Sequence, residues 1–231
     1  MWEKPEYLTY YLKTIEEMGK KFGKNVNSIT FKYKLWNYPF LNIVKKPLKF
    51  GAILDIGGGG GDNYFYFRNS INNNNVFYYI LDNKKLFSST EDTRKKFSNP
   101  NDKFLHLKNL EDISNICIDV VLLIGTLQYL SEKDLAILLS KLGHINDIIV
   151  ARTPITLRKR ETVQIARILY EQRIKLEQVQ IYLRSRRALK KEFNYFGFKL
   201  GNSGFPLPYF LSTEHGEIPS YYQMMHFYRQ S

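Results

Sequence analysis

The sequence predicts an α/β protein built on a doubly wound, largely parallel sheet, and two observations support this. An apolar run of strand length, Ala52–Ile56, breaks into five consecutive glycines at 57–61, which is typical of a buried parallel strand entering a tight turn before a helix. From residue 52 onwards, strand-like and helix-like segments then alternate, as they do in doubly wound sheets. We therefore expect one large domain at 51–231, preceded by a helical and loop-rich cap at 1–50.

Seven segments have the length and apolar content of strands. They are Ala52–Ile56, Val76–Leu81, Phe104–Leu107, Ile118–Ile124, Asp147–Ala151, Gly197–Leu200 and Tyr222–Tyr228. The fourth is nearly all apolar, which is expected of a central parallel strand that is buried on both faces. Pro206, Pro208 and the polar stretch 214–217 predict a connecting loop before the last strand.

Helices are predicted before the first strand and between the others. The N-terminal segment 6–24 places apolar and aromatic residues at helical spacing, and Ser131 is suited to cap a helix at Glu132–Lys141. Further helices are expected to begin at Tyr64, to lie poorly packed within 83–103, and to span Arg184–Phe196.

An insertion separates the fifth strand from the sixth. About forty residues stand where about a dozen helical residues would suffice. Apolar residues recur through 161–183 at helical spacing with arginines between them, namely Ile165, Ile168, Leu169, Leu176, Val179 and Leu183. We therefore predict a basic helical insertion at 155–183.

The net charge of the 231-residue chain is +12, and most of the excess lies in one segment. Between Ala151 and Lys191, twelve basic residues accompany only three acids, a local charge of +9. Such a patch attracts anions, so it fits either a nucleic acid or a phosphorylated small molecule. The alternative is that the charges form a solvated helix face.

Other sequence features favour a soluble, cytoplasmic protein. The N-terminus shows no basic segment leading into an apolar one, and the apolar stretch Val120–Leu130 is too short and too interrupted to cross a membrane. Cys117 is the only cysteine, which excludes an intramolecular disulfide and a cysteine zinc cluster. The histidines and acids show no spacing typical of metal ligands.

The frame of the glycines indicates which ligand the turn holds. No starting position completes the G-x-G-x-x-G frame of dinucleotide-binding turns, and no lysine stands where a phosphate-binding P-loop needs one. The sequence does contain acidic-x-Gly-x-Gly-x-Gly, filled by Asp55, Gly57, Gly59 and Gly61. This pattern resembles motif I of the class I S-adenosylmethionine (SAM)-dependent methyltransferases. The resemblance implies a seven-stranded Rossmann-like methyltransferase sheet that binds SAM and releases S-adenosylhomocysteine (SAH), with Gly58 also in the cofactor turn.

Two further segments follow predicted strands and are expected at the same crevice. Asp82 closes the second strand at about the separation from the glycines at which a nucleotide fold presents a carboxylate to the ribose hydroxyls. After the third strand, the resemblance implies a polar residue for the adenine amine and an apolar one for the ring face. Asn109 and Leu110 fit these roles, with Asp112 as the alternative, either for the adenine or as a helix cap.

The segments after the fourth and fifth strands sharpen the resemblance. Gly-Thr-Leu-Gln-Tyr-Leu at 125–130 and Arg-Thr-Pro at 152–154 follow the glycine motif in order. Over roughly residues 52–200 the chain is similar to a methyltransferase family found among bacterial capsule and surface-polysaccharide genes. Because ligands of open α/β sheets bind beyond the carboxyl ends of the strands, we expect both segments at the crevice. The predicted cofactor contacts there are Gly125, Thr126 and Gln128.

Acceptor chemistry is expected from residues around the same crevice. A phosphate oxygen needs no base, whereas a sugar hydroxyl does, and the candidate bases are Tyr129, His215 and Glu214. Arg152 is predicted to clamp an anion because a guanidinium matches two phosphate oxygens. The other predicted acceptor contacts are Thr153, Arg158 and Arg160. A structural role is expected for His106, His144 and His226.

The sequence therefore predicts an O-methyltransferase that acts on a small anionic, nucleotide-linked sugar or phosphoramidate precursor of a surface polysaccharide. One alternative is an RNA methyltransferase, in which the basic segment would follow the nucleic acid backbone. Another is a cofactor-binding module without activity, whose basic helices only mediate assembly. The same basic helices are a candidate interface for a homodimer.

Overall fold

The computed structural model describes residues 5–22, 39–40, 42–44, 47–157, 161–169, 174–213 and 216–229. Its helices are α1 (Pro5–Phe22), α2 (Asp62–Phe67), α3 (Lys84–Ser89), α4 (Glu91–Phe97), α5 (Glu132–Lys141) and α6 (Arg186–Tyr195). Short 3-10 segments cover Arg68–Ser70, Leu110–Asn115 and Leu127–Tyr129. Its strands are β1 (Ala52–Ile56), β2 (Phe77–Leu81), β3 (Lys103–Leu107), β4 (Val120–Ile124), β5 (Asp147–Ala151), β6 (Pro154–Thr156), β7 (Glu161–Leu169), β8 (Ile174–Leu183), β9 (Lys199–Ser203), β10 (Leu207–Thr213), β11 (Gly216–Tyr222) and β12 (Met225–Tyr228).

The central sheet of the described ranges has seven strands in the order β3-β2-β1-β4-β5-β12-β9. Strands β1 to β5 pair in parallel, whereas β12 is antiparallel to both β5 and β9. The order reverses between β1 and β4, so the crevice beyond their carboxyl ends is where such a sheet binds ligands. The predicted doubly wound α/β fold is confirmed.

Alternating side chains of the central strands enter two apolar cores on opposite faces of the sheet. In β4, Val121 and Leu123 belong to one core, while Val120 and Leu122 belong to the other. The whole strand is buried, which explains its continuous apolar sequence. Bounds predicted from sequence match for β1, β5 and α5, and the Ser131 hydroxyl accepts the Asp134 N–H as the N-cap of α5.

The predicted N-terminal helix is confirmed as α1. Its Ile15 is fully buried in the core that also contains Phe65 and Val120.

Among the described residues, no helix is long and apolar enough to cross a membrane.

The predicted basic helical insertion is wrong, because β7 and β8 form an antiparallel hairpin there. Val163 pairs with Ile181, and Ile165 pairs with Val179. Apolar residues at 163 and 165, and at 179, 181 and 183, also alternate with period two, so the pattern supports a strand as well as a helix. Pairing between the strands decides for the hairpin, and the helix that follows begins at Arg186 instead of Arg184.

A second, three-stranded sheet was not predicted. It has the order β10-β11-β6 and contains most of the stretch predicted as a loop before the last strand. Leu211 and Ile218 of this sheet pack with Ile181 and Leu183 of the hairpin in a third apolar cluster. The last strand of the main sheet is accordingly shorter than predicted, beginning at Met225.

Candidate active site

The five glycines form the turn that leaves the carboxyl end of β1 and leads into α2. Three of them, Gly57, Gly59 and Gly61, have φ angles of 71°, 57° and 96°, which favour glycine because it has no Cβ. Protein side chains also crowd the turn, so a Cβ added at any of the first four glycines would collide with one of them. The side chain met at Gly57, Gly58, Gly59 and Gly60 is that of Thr126, Asp55, Tyr11 and Thr90, respectively.

Asp82 lies directly beside the glycine turn, at the carboxyl end of β2. Its Oδ2 accepts the Gly59 N–H at 2.6 Å, and its Oδ1 accepts the Asn83 N–H at 2.6 Å. Each carboxylate oxygen has more than one acceptor position, so these bonds leave capacity for two further donors. A ribose diol supplies such a pair.

The backbone N–H and the carbonyl of Gly60 both form hydrogen bonds with residues that the sequence did not single out. Its N–H donates to the Tyr11 hydroxyl at 2.6 Å. Its carbonyl accepts from Thr90 Oγ1 at 3.2 Å and from the Arg94 guanidinium at 3.0 Å. Burial lowers the pKa of Arg94 to about 10, and its guanidinium stacks 3.8 Å from the Phe87 ring. The stretch predicted as poorly packed therefore supports the turn.

Asp55 lies beneath the turn and is fully buried. Its carboxylate accepts from Asn63 Nδ2 at 3.1 Å and from the Tyr78 hydroxyl at 2.7 Å. Burial, together with the charges of Asp62 and Asp82, raises the pKa of Asp55 to about 7 against the opposing effect of these two hydrogen bonds. Asp55, the acid of the glycine motif, therefore supports the conformation of the turn from below.

Arg152 lies at the carboxyl end of β5 with an unusual backbone. Its φ of 52° is the one positive value among the described residues other than glycine, a conformation that costs free energy for a residue with a Cβ. The guanidinium lies 5.4 Å from the Tyr66 ring. Burial raises the pKa of Asp62, and the charge of Arg152 opposes this rise, so the predicted anion clamp lies close to the glycine turn. The neighbouring Thr153 is buried.

The segment after β4 contains the other predicted crevice residues. Gly125 has a φ of 71°, and the Thr126 hydroxyl donates to the Ile56 carbonyl at 2.7 Å, which joins this segment to the glycine turn. Gln128 Oε1 is buried and has no hydrogen-bond partner in the described part of the chain. Tyr129 packs against the apolar cluster between the hairpin and the second sheet.

Arg184, at the end of the hairpin, was missed as a site-supporting residue. It is buried, and its guanidinium donates to the carbonyls of Leu127 at 3.2 Å and Leu130 at 2.6 Å. It also forms an ion pair with Glu192 of α6 at 3.2 Å. In sequence it is one basic residue among twelve, so no local signal distinguishes it.

The predicted adenine-contacting residues follow β3. Asn109 is exposed and Leu110 is half-buried. The Asp112 carboxylate accepts the N–H groups of Lys108 and Asn109, each at 3.0 Å, so it caps the 3-10 segment there. His106 Nε2 lies 2.8 Å from the Asp82 carbonyl oxygen.

The remaining candidates are two further histidines and four residues that lie outside the described ranges. His226 forms an ion pair with Asp147 at 2.6 Å when protonated, and His144 is exposed. In the part of the chain that the structure describes, no cluster of histidine, cysteine and acidic residues is arranged to hold a metal. Four predicted residues lie outside the described ranges, namely Arg158, Arg160, Glu214 and His215.

The electrostatics of the glycine turn favour a cation over a diphosphate. The charges of Asp62 and Asp82 both act on Asp55, so three carboxyl groups share one small region. A pyrophosphate bound there would be repelled, whereas a sulfonium or an ammonium group would be attracted. These acidic groups therefore fit SAM, whose sulfur and amino group are cationic.

Comparison with known proteins agrees with this geometry at the level of the fold. No family model matches the sequence, and no curated protein matches it. Among solved structures, a SAM-dependent methyltransferase from Clostridium acetobutylicum is similar over 96% of this chain and 100% of that chain, with a TM-score of 0.57 and 12% identity.

Two further similar structures were obtained with SAM or SAH present. The glycopeptide N-methyltransferase MtfA, complexed with SAM, is similar over 94% of this chain and 97% of that chain, with a TM-score of 0.55 and 10% identity. The N-terminal domain of EvdMO1, crystallised in the presence of SAH and D-fucose, is similar over 95% and 97%, with a TM-score of 0.52 and 14% identity. The chain thus has the Rossmann-like fold of the SAM-dependent methyltransferases.

Proposed function

We propose that the protein is a SAM-dependent O-methyltransferase that acts on a small anionic, nucleotide-linked sugar or phosphoramidate precursor of a capsule or surface polysaccharide. The observation that carries the proposal is the position of Asp82 against the glycine turn at the switch point of the sheet, 2.6 Å from the Gly59 N–H. A carboxylate there is available to both hydroxyls of a ribose.

The residues around the crevice suit the two ends of the cofactor. The charges of Asp62 and Asp82, which act on Asp55 beneath the turn, favour a cationic methionine moiety. Asn109 and Leu110, after the neighbouring strand, are proposed to contact the adenine. The buried Gln128 Oε1 provides an acceptor that receives no donor from the described residues. Bound SAM would supply an electrophilic methyl group on its sulfonium.

Arg152 and Thr153 are proposed to bind the acceptor. Arg152 lies at the end of β5, close enough to Asp62 to act on its charge, and its guanidinium can bind two phosphate oxygens. Arg158 and Arg160 follow in the chain and extend the basic segment. A sugar-linked acceptor is in keeping with the structural neighbour that was crystallised in the presence of D-fucose.

Catalysis by this chain would consist mainly of alignment and exclusion of water. An acceptor phosphate oxygen is already anionic, so positioning by Arg152 would suffice. An acceptor hydroxyl would transfer its proton to a base, for which Tyr129 and His215 are the proposed candidates.

Calorimetric titration with SAM, SAH and NAD tests the cofactor assignment. We expect micromolar binding of SAM and SAH and none of NAD, because the acids around the turn disfavour a diphosphate. Binding of NAD alone would contradict the proposal. Transfer of labelled methyl groups from SAM into nucleotide sugars, with total RNA as the competing acceptor, then tests the acceptor class.

A further inference from the structure

The N-terminal helix reaches into the glycine turn through a single hydroxyl group. Tyr11 Oη accepts the Gly60 N–H at 2.6 Å and donates to Asp62 Oδ1 at 3.0 Å. Gly60 and Asp62 lie 49 and 51 residues further along the chain. This contact is therefore tertiary, and it joins α1 to both ends of the segment that leads into α2.

The fit between Tyr11 and the turn is close. A Cβ on Gly59 would collide with the Tyr11 hydroxyl, so the glycine at this position makes room for the tyrosine. One turn further along α1, Ile15 is fully buried in the core that contains Phe65 of α2. The helix is thus docked by an apolar contact on the core and by a polar contact on the turn.

The chemistry of the contact requires a neutral phenol. The Gly60 N–H needs an acceptor and the Asp62 carboxylate needs a donor, and a hydroxyl is both at once. Burial and the charge of Asp62 hold the pKa of Tyr11 well above its ordinary value, so the hydroxyl keeps the proton that it donates. Phenylalanine would fill the same space but would leave both partners without this bond.

We propose that α1 is part of the cofactor site and that Tyr11 is a positioning residue, which holds Gly59–Asp62 in the conformation that binds the cofactor. This inference rests on the proposed cofactor. A turn of consecutive glycines has many accessible conformations, and a ligand binds more weakly when only a fraction of the protein has the competent one. Docking of α1 and binding of the cofactor should therefore be coupled.

The coupling must act in both directions. If docked α1 strengthens cofactor binding by a given factor, then bound cofactor stabilises the docked helix by the same factor. The proposal thus predicts that bound cofactor stabilises α1, although the sequence analysis assigned no cofactor contact to this helix.

Calorimetry with SAH measures the first direction. We expect Tyr11→Phe to bind SAH about tenfold more weakly than the wild type, the typical loss when a buried group is left without its partner. Tyr64→Phe is the matched control, because the Tyr64 hydroxyl also makes two bonds, donating to Asp102 at 2.6 Å and accepting the Asn99 N–H at 3.0 Å. Neither partner of this hydroxyl belongs to the glycine turn, so this variant should bind SAH like the wild type.

Hydrogen exchange measures the second direction, the stabilisation of α1 by bound cofactor. It needs only the wild type, so it does not depend on whether a variant folds. Saturating SAH should slow exchange of the amides of 5–22 several-fold. Equal SAH affinity of Tyr11→Phe and wild type, or unchanged exchange in α1 on SAH binding, would overturn the inference while the proposed function stands. Failure of the wild type to bind SAH would overturn the proposed function and this inference together.

Discussion

The buried carboxyl group of Asp55 should make the stability of the protein depend on pH. It lies under Gly58, is fully buried, and accepts bonds from Asn63 and Tyr78. These bonds lower the pKa of Asp55, but burial outweighs them and raises it from 3.8 to about 7. Ionisation is therefore harder in the folded state than in the unfolded chain.

The sign and the size of the effect follow from this difference. Below pH 3.8 both states are protonated, and the contribution of Asp55 to stability is fully present. As the pH rises towards 7, the unfolded chain loses the proton while the folded protein keeps it, so the free energy of unfolding falls. A rise of about 3 pKa units corresponds to about 4 kcal/mol, and this amount is lost once the pH exceeds the folded-state pKa.

Asp55→Asn removes the ionisation and keeps an oxygen that can accept the Tyr78 hydroxyl. Urea unfolding of both proteins at about pH 4 and about pH 8 should show the stability of the wild type relative to the variant falling by about 4 kcal/mol between them. Carboxyl carbon NMR should show Asp55 titrating near pH 7, and higher in Tyr78→Phe, which loses a bond to the charged form. Parallel pH profiles of wild type and Asp55→Asn would refute the reasoning.

Three further predictions follow from the geometry of the crevice. Asp82→Ala should weaken SAH binding by about 1–3 kcal/mol because it removes the acceptor beside Gly59; unchanged affinity in calorimetry would rule out the ribose contact. Gly58→Ala should lower the free energy of unfolding by about 1–3 kcal/mol, because its Cβ would meet buried Asp55; a wild-type urea midpoint would contradict this. Arg152→Gly should raise the free energy of unfolding by up to about 1 kcal/mol by releasing its positive φ, while methyl transfer to the acceptor falls; a loss of stability would show that the backbone there is not strained.

The strands of the main sheet could be predicted because each has a local signal. The bounds of β1 and β5 match, since each is a short apolar run ended by residues that favour a turn. The cap at Ser131 is equally local, because its hydroxyl bonds the Asp134 N–H within the same turn of helix. Signals of this kind do not depend on what the element packs against.

The hairpin β7–β8 could not be recognised in this way. Its apolar residues fit a period of two as well as the helical spacing, and the choice between them depends on a partner strand and on the second sheet. Ile181 and Leu183 gain their burial against Leu211 and Ile218, which lie far along the chain. Contacts between such distant segments cannot be recognised from the local sequence.

The sequence by itself determined that a glycine turn follows β1 and that Asp82 closes β2, because backbone conformation and strand ends have local causes. Tertiary structure alone decided why the first four positions of the turn have no room for a side chain, since the side chains that crowd them come from four separate segments. It also decided that Tyr11 holds the turn and that Arg184 holds the segment after β4. The physical reason is that hydrogen bonds and steric contacts between distant residues depend on where the chain brings them, and composition and spacing do not record this.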